Sequence, residues 1–336
     1  TVVNGGILSI NQDRALGAVP GSTDDDNLRL NSGTLKTTAS FTINTKRGIQ
    51  LNASSTINVD GSTTLTYAGI IKDQNSENNG YTKSGSGTLA LSGDSTYDGV
   101  TTISAGVITI AHADSLGSTS GATSITSGAA LSISGGITVA EPITVNGTGV
   151  SSGGAIVFTA NDNTYSGAIT LGSTSTIVST GGAQTISGAV NGGQALTITA
   201  NGNLVISGAV GGSTNLSSYA VTTTNSSSQT FSANVETTGN QTYTAAGGIV
   251  TSGARTFDSS SGTVNFASAL SGNNNVTVTG NADIDGAITD IAVLSISGTS
   301  NIGADITTSG TQTYTGAVTL SADVTLTSSN DVITFS

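Results

Sequence analysis

Cysteine, methionine and tryptophan are absent from the 336 residues, and histidine occurs once, as His112. Without cysteine there are no disulfides, no thiolate metal ligands and no thiol nucleophile. One histidine excludes every multi-histidine metal site and leaves His112 as the sole imidazole base. Charge is equally scarce, with 8 basic residues against 20 acidic ones and a net charge of -12. A chain this acidic is excluded as a binder of nucleic-acid backbone, where affinity rests on neutralising phosphates. No apolar run approaches the roughly 18 residues of a membrane-spanning helix, so no membrane insertion is expected of this segment. The chain starts without methionine and shows no signal-peptide pattern. The expectation is a segment processed from a longer polypeptide.

What is present is glycine, at 46 residues, much serine and threonine, and 35% hydrophobic residues. Polar, glycine-rich chains often fail to bury enough apolar surface to order themselves. Here Val, Ile and Thr are abundant and charge is too sparse to keep the chain expanded, which favours β structure. Helical periodicity is almost absent. The recurring pattern is a short apolar-polar-apolar triplet: Leu89-Ala-Leu91, Ile108-Thr-Ile110, Leu131-Ser-Ile133, Ile143-Thr-Val145, Leu196-Thr-Ile198, Val276-Thr-Val278, Val318-Thr-Leu320. Each has the period of two of a half-buried strand, three to five residues long. Strands this short cannot build a sandwich with a deep core. They suit an all-β solenoid, in which each strand stacks on its equivalent one turn away. Parallel pairing and less than about 5% α-helix are expected, against the roughly one-third helix of ordinary domains.

Residues 1–21 align without a gap on residues 101–121, matching at Gly6/Gly106, Ile10/Ile110, Leu16/Leu116, Gly17/Gly117 and Gly21/Gly121. Beyond this the register drifts, and length variation falls in intervening loops, Asn44-Thr-Lys-Arg-Gly48 against Ala140-Glu-Pro142. A Thr-Tyr unit near glycine recurs at Tyr97, Tyr165, Tyr243 and Tyr314. Its spacing suggests turns of about 20 residues, roughly 16 turns, and a rod on the order of 75 to 80 Å at the usual strand separation. Seven of the eight basic residues lie at or before Lys83, whereas 118–336 holds only Arg255 against ten carboxylates. This places a soft boundary between a segment 1–117 and a segment 118–336 of one continuous solenoid.

The stretch from Lys83 to Gly106 carries Gly85-Ser-Gly87-Thr-Leu89-Ala-Leu91-Ser-Gly93, then Thr96-Tyr97-Asp-Gly99 and Thr101-Thr-Ile103. It resembles the passenger-associated transport repeat, also called the autotransporter-associated β-strand repeat, departing from that pattern with Ser95 at the usual Asn and Val107-Ile108 at the usual Thr-Leu. Residues 1–72 look like the module that precedes this repeat in very large secreted proteins. Residues 150–336 are similar, less specifically, to repeats of giant filamentous-haemagglutinin-like proteins. The resemblance implies a single-stranded right-handed parallel β-helix, exported across a Gram-negative outer membrane and displayed or shed as a stalk or adhesin. It brings no catalytic residues.

Candidate sites are few. Gly93-Asp94-Ser95 matches the GDS start of a lipase family, and a triad would take His112 as base. The equivalent slots elsewhere vary, and His112 aligns on Gln12, so the alternative is a pair of solvated turns. Asp283 and Asp285 alternate with Ala282 and Ile284, which turns both acids outward on one strand. Asn281-Ala-Asp283-Ile-Asp285-Gly286 looks like the start of a calcium loop, but its twelfth position is Ala292 rather than Glu. Asp24, Asp25 and Asp26 follow Pro20-Gly21 in a loop that could hold a cation. Both acidic groups are read first as solvated turns, with calcium the one cofactor considered as the alternative. The four tyrosines are expected at corners, rings covering the adjacent coil and hydroxyls in water, with a ladder of ligand platforms as the alternative.

The expectation is a non-enzymatic structural or adhesive segment of a large secreted or surface-displayed bacterial filament. The alternative is a carbohydrate-active β-helix enzyme, which needs a groove with two clustered carboxylates and a basic residue. Expected partners are further turns of the same long chain, an identical segment stacked head to tail, and cell-surface or matrix polysaccharide. The expected location is extracellular, on the outer surface of a Gram-negative bacterium.

Overall fold

The computed structural model describes residues 1–74 and 77–336. Alternation dictates the local structure. In the strand Gly106–Ile110, Ile108 and Ile110 are fully buried, while Val107 and Thr109, which alternate with them, are half-buried on the outer face. The strands Thr88–Leu91 and Ser55–Val59 alternate in the same way, and Ala129–Ile133 departs only at its buried Ala130. The only helical elements among the described residues are two 3-10 turns, Asp13–Leu16 and Val150–Ser152. No helix of the described chain is long and apolar enough to cross a membrane. The protein is an all-β solenoid of about 14 turns built on parallel strands.

Two compact units form, Thr1–Val178 and Ser179–Ser336. In the first, three parallel ladders run turn upon turn. One stacks Thr34–Thr37, Ser55–Val59, Tyr81–Ser84, Thr101–Ile103, Thr123–Ile125 and Ile143–Gly147. The second stacks Phe41–Ile43, Thr64–Tyr67, Thr88–Leu91, Gly106–Ile110, Ala129–Ile133 and Ile156–Phe158. The third runs from Val2–Asn4 through Asp24–Asn31 and Arg47–Leu51 to Ile71–Asp73, and resumes as Thr138–Val139 on Thr164–Tyr165. Like therefore sits on like: Leu65, Leu89, Ile108, Leu131 and Ile156 form one continuous apolar column.

The second unit repeats the scheme. One ladder carries Ala195–Ala200, Ser218–Thr223 and Gln241–Ala245 on to Ser300–Ile302 and Val318–Leu320. Another runs from Gln184–Ile186 through Leu204–Ile206, Gln229–Phe231 and Ile249–Thr251 to Leu326–Ser328. Some strands exceed the expected three to five residues. Arg255–Phe266 has 12, because it bends from one face into the next, pairing Phe257 with Val235 and Val264 with Gln241 across a register shift.

Turn length also departs from the uniform 20 residues expected. Asn4 lies opposite Asn31, 27 residues on, whereas Asp283 lies opposite Asn301, 18 residues on. Turns average longer than expected, so there are about 14 rather than 16. The offset of 100 is a true structural repeat. Gly6 and Gly106 share φ of 68° and 67°, Gly17 and Gly117 share 94° and 91°, and each pair closes the same corner. The Gly17 and Gly117 amides bond Arg14 and Asp114 carbonyls at 3.1 Å each. These are positive-φ positions that side chains rarely adopt, which is why glycine recurs there.

Candidate functional site

The repeat glycines are where turns touch. A Cβ on Gly87 would stand 2.2 Å from the Asp60 carbonyl oxygen, on Gly93 2.0 Å from that of Gly69, and on Gly99 2.1 Å from the Gly80 amide nitrogen. Gly85 has a φ of +73° and would meet the Val59 carbonyl at 2.2 Å. Between them Leu89 and Leu91 point inward and are buried. Thr96 is exposed, its amide bonded to the Ile71 carbonyl at 2.9 Å, and Tyr97 returns inward.

The tyrosines do not stand at corners with wet hydroxyls. Tyr97, Tyr165, Tyr243 and Tyr314 all have 0% exposure. The interior satisfies each hydroxyl: Tyr97 bonds the Thr101 hydroxyl at 2.6 Å, Tyr165 donates to the Glu141 carbonyl at 2.7 Å, and Tyr243 and Tyr314 donate to Gln241 and Gln312 Oε1 at 2.7 and 2.9 Å. Burial pushes all four phenols well up from their usual value. A platform for ligands is excluded by the same burial.

Two of these tyrosines belong to a second motif, Gln-Thr-apolar, at Gln184, Gln229, Gln241 and Gln312, each fully buried. In the last three the amide crosses to the next turn: Gln229 Nε2 donates to the Thr244 carbonyl, Gln241 Nε2 to that of Asp258, and Gln312 Nε2 to that of Thr327, at 2.6 to 2.7 Å. Tyr243 then stacks on Phe266 at 5.6 Å and meets Phe231 and Phe257 edge-on. Tyr243→Phe keeps the rings and removes one neutral hydrogen bond, so a loss of about 1 kcal/mol is expected in urea unfolding.

The acidic candidates separate. Asp24–Asn31 is a strand, not a loop, because Leu28 and Leu30 anchor it in the core. Its three acids take different partners: Asp24 accepts from Asn27 Nδ2 at 3.1 Å, Asp25 pairs with Lys72 at 3.7 Å, and Asp26 pairs with Arg29. The Asn27 hydrogen bond, with one from Asp26, holds the Asp24 carboxyl below its ordinary value. Asp283 and Asp285 do face outward, and their Oδ2 atoms converge on the Asn265 amide at 2.8 and 2.9 Å. Asn301 Nδ2 holds the other Asp283 oxygen at 2.8 Å, completing an Asn-Asp-Asn ladder over three turns. This ladder borders an open groove of about 280 Å³ lined by Thr263, Asn281, Thr299, Ser300 and Thr319.

The triad candidates are brought partly together. Ligand atoms of Asp94, His112 and Asp114 lie within 4.8 Å of one another. The Ser95 side chain is instead buried, its Oγ accepting from the Ile71 amide at 3.4 Å. His112 Nδ1 accepts from the Asp114 amide at 3.2 Å, as a residue that shapes a turn.

Sequence reasoning missed several buried ionisable groups, two of them, Arg47 and Glu141, in the segments read as variable loops. Arg47 has 0% exposure; it pairs with Asp13 at 2.9 Å and donates to Asn27 Oδ1 and the Gly17 and Ala18 carbonyls. Lys83 is also fully buried, its Nζ donating to the Gly85 and Ala105 carbonyls at 2.7 and 2.9 Å. Burial lowers its ammonium to about 8. Glu141 is 3% exposed, and burial pushes its carboxyl up to about 7.

The successive turns that hold Lys83, Leu89 and Ile108 also show kinship outside this chain. The passenger-associated transport repeat family matches residues 82–110. The chain carries a passenger-associated transport repeat. Over 114 residues, 34% of the chain, it is 35% identical to the adhesin BmaC autotransporter of Brucella suis biovar 1 (strain 1330). The aligned part is 3% of that much longer relative. No solved structure matches. The transport repeat coincides with the strands Tyr81–Ser84, Thr88–Leu91, Thr101–Ile103 and Gly106–Ile110, two successive strands on each of two ladders.

Proposed function

We propose that this chain is a non-enzymatic adhesive segment of an autotransporter-type passenger, exposed on or shed from a Gram-negative cell. The observation that carries the reading is that the transport repeat is itself part of the stack. Thr82 pairs with Thr56 below and Thr102 above, and Leu89 with Leu65 and Ile108, so the repeat continues the scaffold in phase. The similarity to an autotransporter adhesin supports it. A chain free of cysteine also suits export through a narrow pore in an unfolded state. The outward Thr and Asn rows around Asp283 offer hydroxyl and amide groups suited to cell-surface or matrix polysaccharide. Asp283 there is held by two asparagines rather than set beside a basic group, which favours binding over glycoside chemistry. An antibody to this segment is expected to label intact, unpermeabilised cells, and the purified segment to compete with cell attachment. Labelling seen only after permeabilisation, or attachment unaffected by excess segment, rejects the reading.

A further inference from the structure

Glu141 occupies a corner that neighbouring turns fill with glycine. Two positions ahead of the strands Thr101–Ile103, Thr123–Ile125 and Ile169–Ser179 stand Gly99, Gly121 and Gly167; ahead of Ile143–Gly147 stands Glu141. Successive turns press together here. A Cβ on Gly167 would lie 2.1 Å from the Glu141 carbonyl oxygen. Into this tight interior Glu141, followed by Pro142, brings a carboxyl that is 3% exposed, with neither oxygen hydrogen-bonded.

Among the described residues no positive charge acts on it. Burial raises the carboxyl and the neighbouring Thr123 hydroxyl offsets part of that rise, although the two groups do not meet in a well-formed hydrogen bond. Tyr97 and Tyr165 feel the Glu141 charge. Their hydroxyls are already committed to Thr101 and to the Glu141 carbonyl. Tyr81 packs edge-on against Tyr97 at 5.6 Å. Asp98, beside Tyr97, is half-buried and accepts from the Ser118 hydroxyl.

We infer that Glu141 is a proton-operated latch in the first unit, holding its corner closed when neutral and loosening it when ionised. The neutral acid carries a hydrogen that the Thr123 hydroxyl can accept, so both orphaned groups are satisfied at once. The ionised form has only the Thr123 hydroxyl as a donor and no cation, so it is a poorly compensated buried charge, relieved by letting water into the corner. The sign follows from the raised folded value, about 7 against an ordinary 4.5. Stability from the neutral carboxyl is complete below about 4.5 and is lost as pH rises through about 7. Backbone bonds that span the corner report its opening: Thr123 to the Pro142 carbonyl, Ile143 to that of Ala168, and Ser166 and Gly167 to that of Val139.

Amide hydrogen exchange of the full chain at pH 5 and 8.5, corrected for intrinsic rates, tests this. The opening equilibrium at those four amides is expected to rise between tenfold and a few hundredfold, the range set by a shift of about 2.5 pH units. In Glu141→Gln, whose amide cannot ionise, opening should be the same at both pH values. Wild-type opening that is independent of pH, or a variant that tracks the wild type, overturns the inference. If the variant does not fold, carboxyl-labelled glutamate NMR of the wild type decides, since Glu77, Glu141 and Glu236 are the only glutamates. One carboxyl titrating near 7 and assigned to Glu141 supports the latch; all three titrating in the ordinary range overturn it.

Discussion

Ile108→Asp is expected to cost about 4 kcal/mol or more, and Thr109→Asp, one residue away, less than about 1 kcal/mol. Ile108 has 0% exposure and stacks between Leu89 and Leu131. An aspartate there meets apolar neighbours above and below and has no cation to pair with, so transfer energy is lost and an isolated charge is buried. Thr109 stacks between Ala90 and Ser132 on the outer face, where a carboxylate stays hydrated. Because each turn of a solenoid is stabilised by its nearest neighbours, the damage should centre on the strands Thr88–Leu91 and Ala129–Ile133. Urea unfolding of the two variants measures the difference. Equal losses would mean that the inner and outer faces are wrongly assigned.

Arg47→Met is expected to destabilise by about 3 to 5 kcal/mol, the scale for removing one partner of a buried ion pair. The substitution keeps much of the apolar stem but leaves Asp13, Asn27 Oδ1 and the Gly17 and Ala18 carbonyls without their donor. Arg47→Lys should recover only part of the loss, since one ammonium cannot reach acceptors spread around a planar fork. The Gly17 corner would loosen first. A thermal melt showing Arg47→Met within about 0.5 kcal/mol of the wild type would show that this network contributes nothing.

The parts of this fold legible in the sequence are those that repetition repeats. Leu89 and Leu91 alternate with polar residues, and the same alternation recurs along the chain, so strands, faces and parallel stacking follow from period alone. The match of Gly6 with Gly106 and Gly17 with Gly117 located equivalent corners because those corners need positive φ. The tyrosines were harder. A Thr-Tyr unit beside glycine fits a corner as well as a core, and the deciding neighbour is the residue two places back. Gln241 and Gln312 share a face with Tyr243 and Tyr314 and take their hydroxyls, so Gln-Thr-Tyr carries its own internal partner. The three acids at Asp24–Asp26 followed a Pro-Gly turn signal, yet Leu28 and Leu30 four residues on draw them into a strand. Arg47 and Glu141 were hidden because each lies where equivalent segments differ in length. Such segments read as exposed loops, although a side chain entering from them reaches the interior.

The unequal turns, 27 residues between Asn4 and Asn31 but 18 between Asp283 and Asn301, bear on how each unit carries load. Backbone hydrogen bonds run from turn to turn while the chain runs across them. Tension along the stack loads every turn alike and opens the three ladders of the weakest turn together. Each detached turn releases its own length of slack, about 60 Å for 18 residues and about 90 Å for 27. Extension would proceed in discrete steps, each relaxing the force on the turns behind it, with step height set locally by sequence. A tether so built absorbs a sudden pull by yielding one rung at a time, and the released rung can re-dock on a template that is still intact.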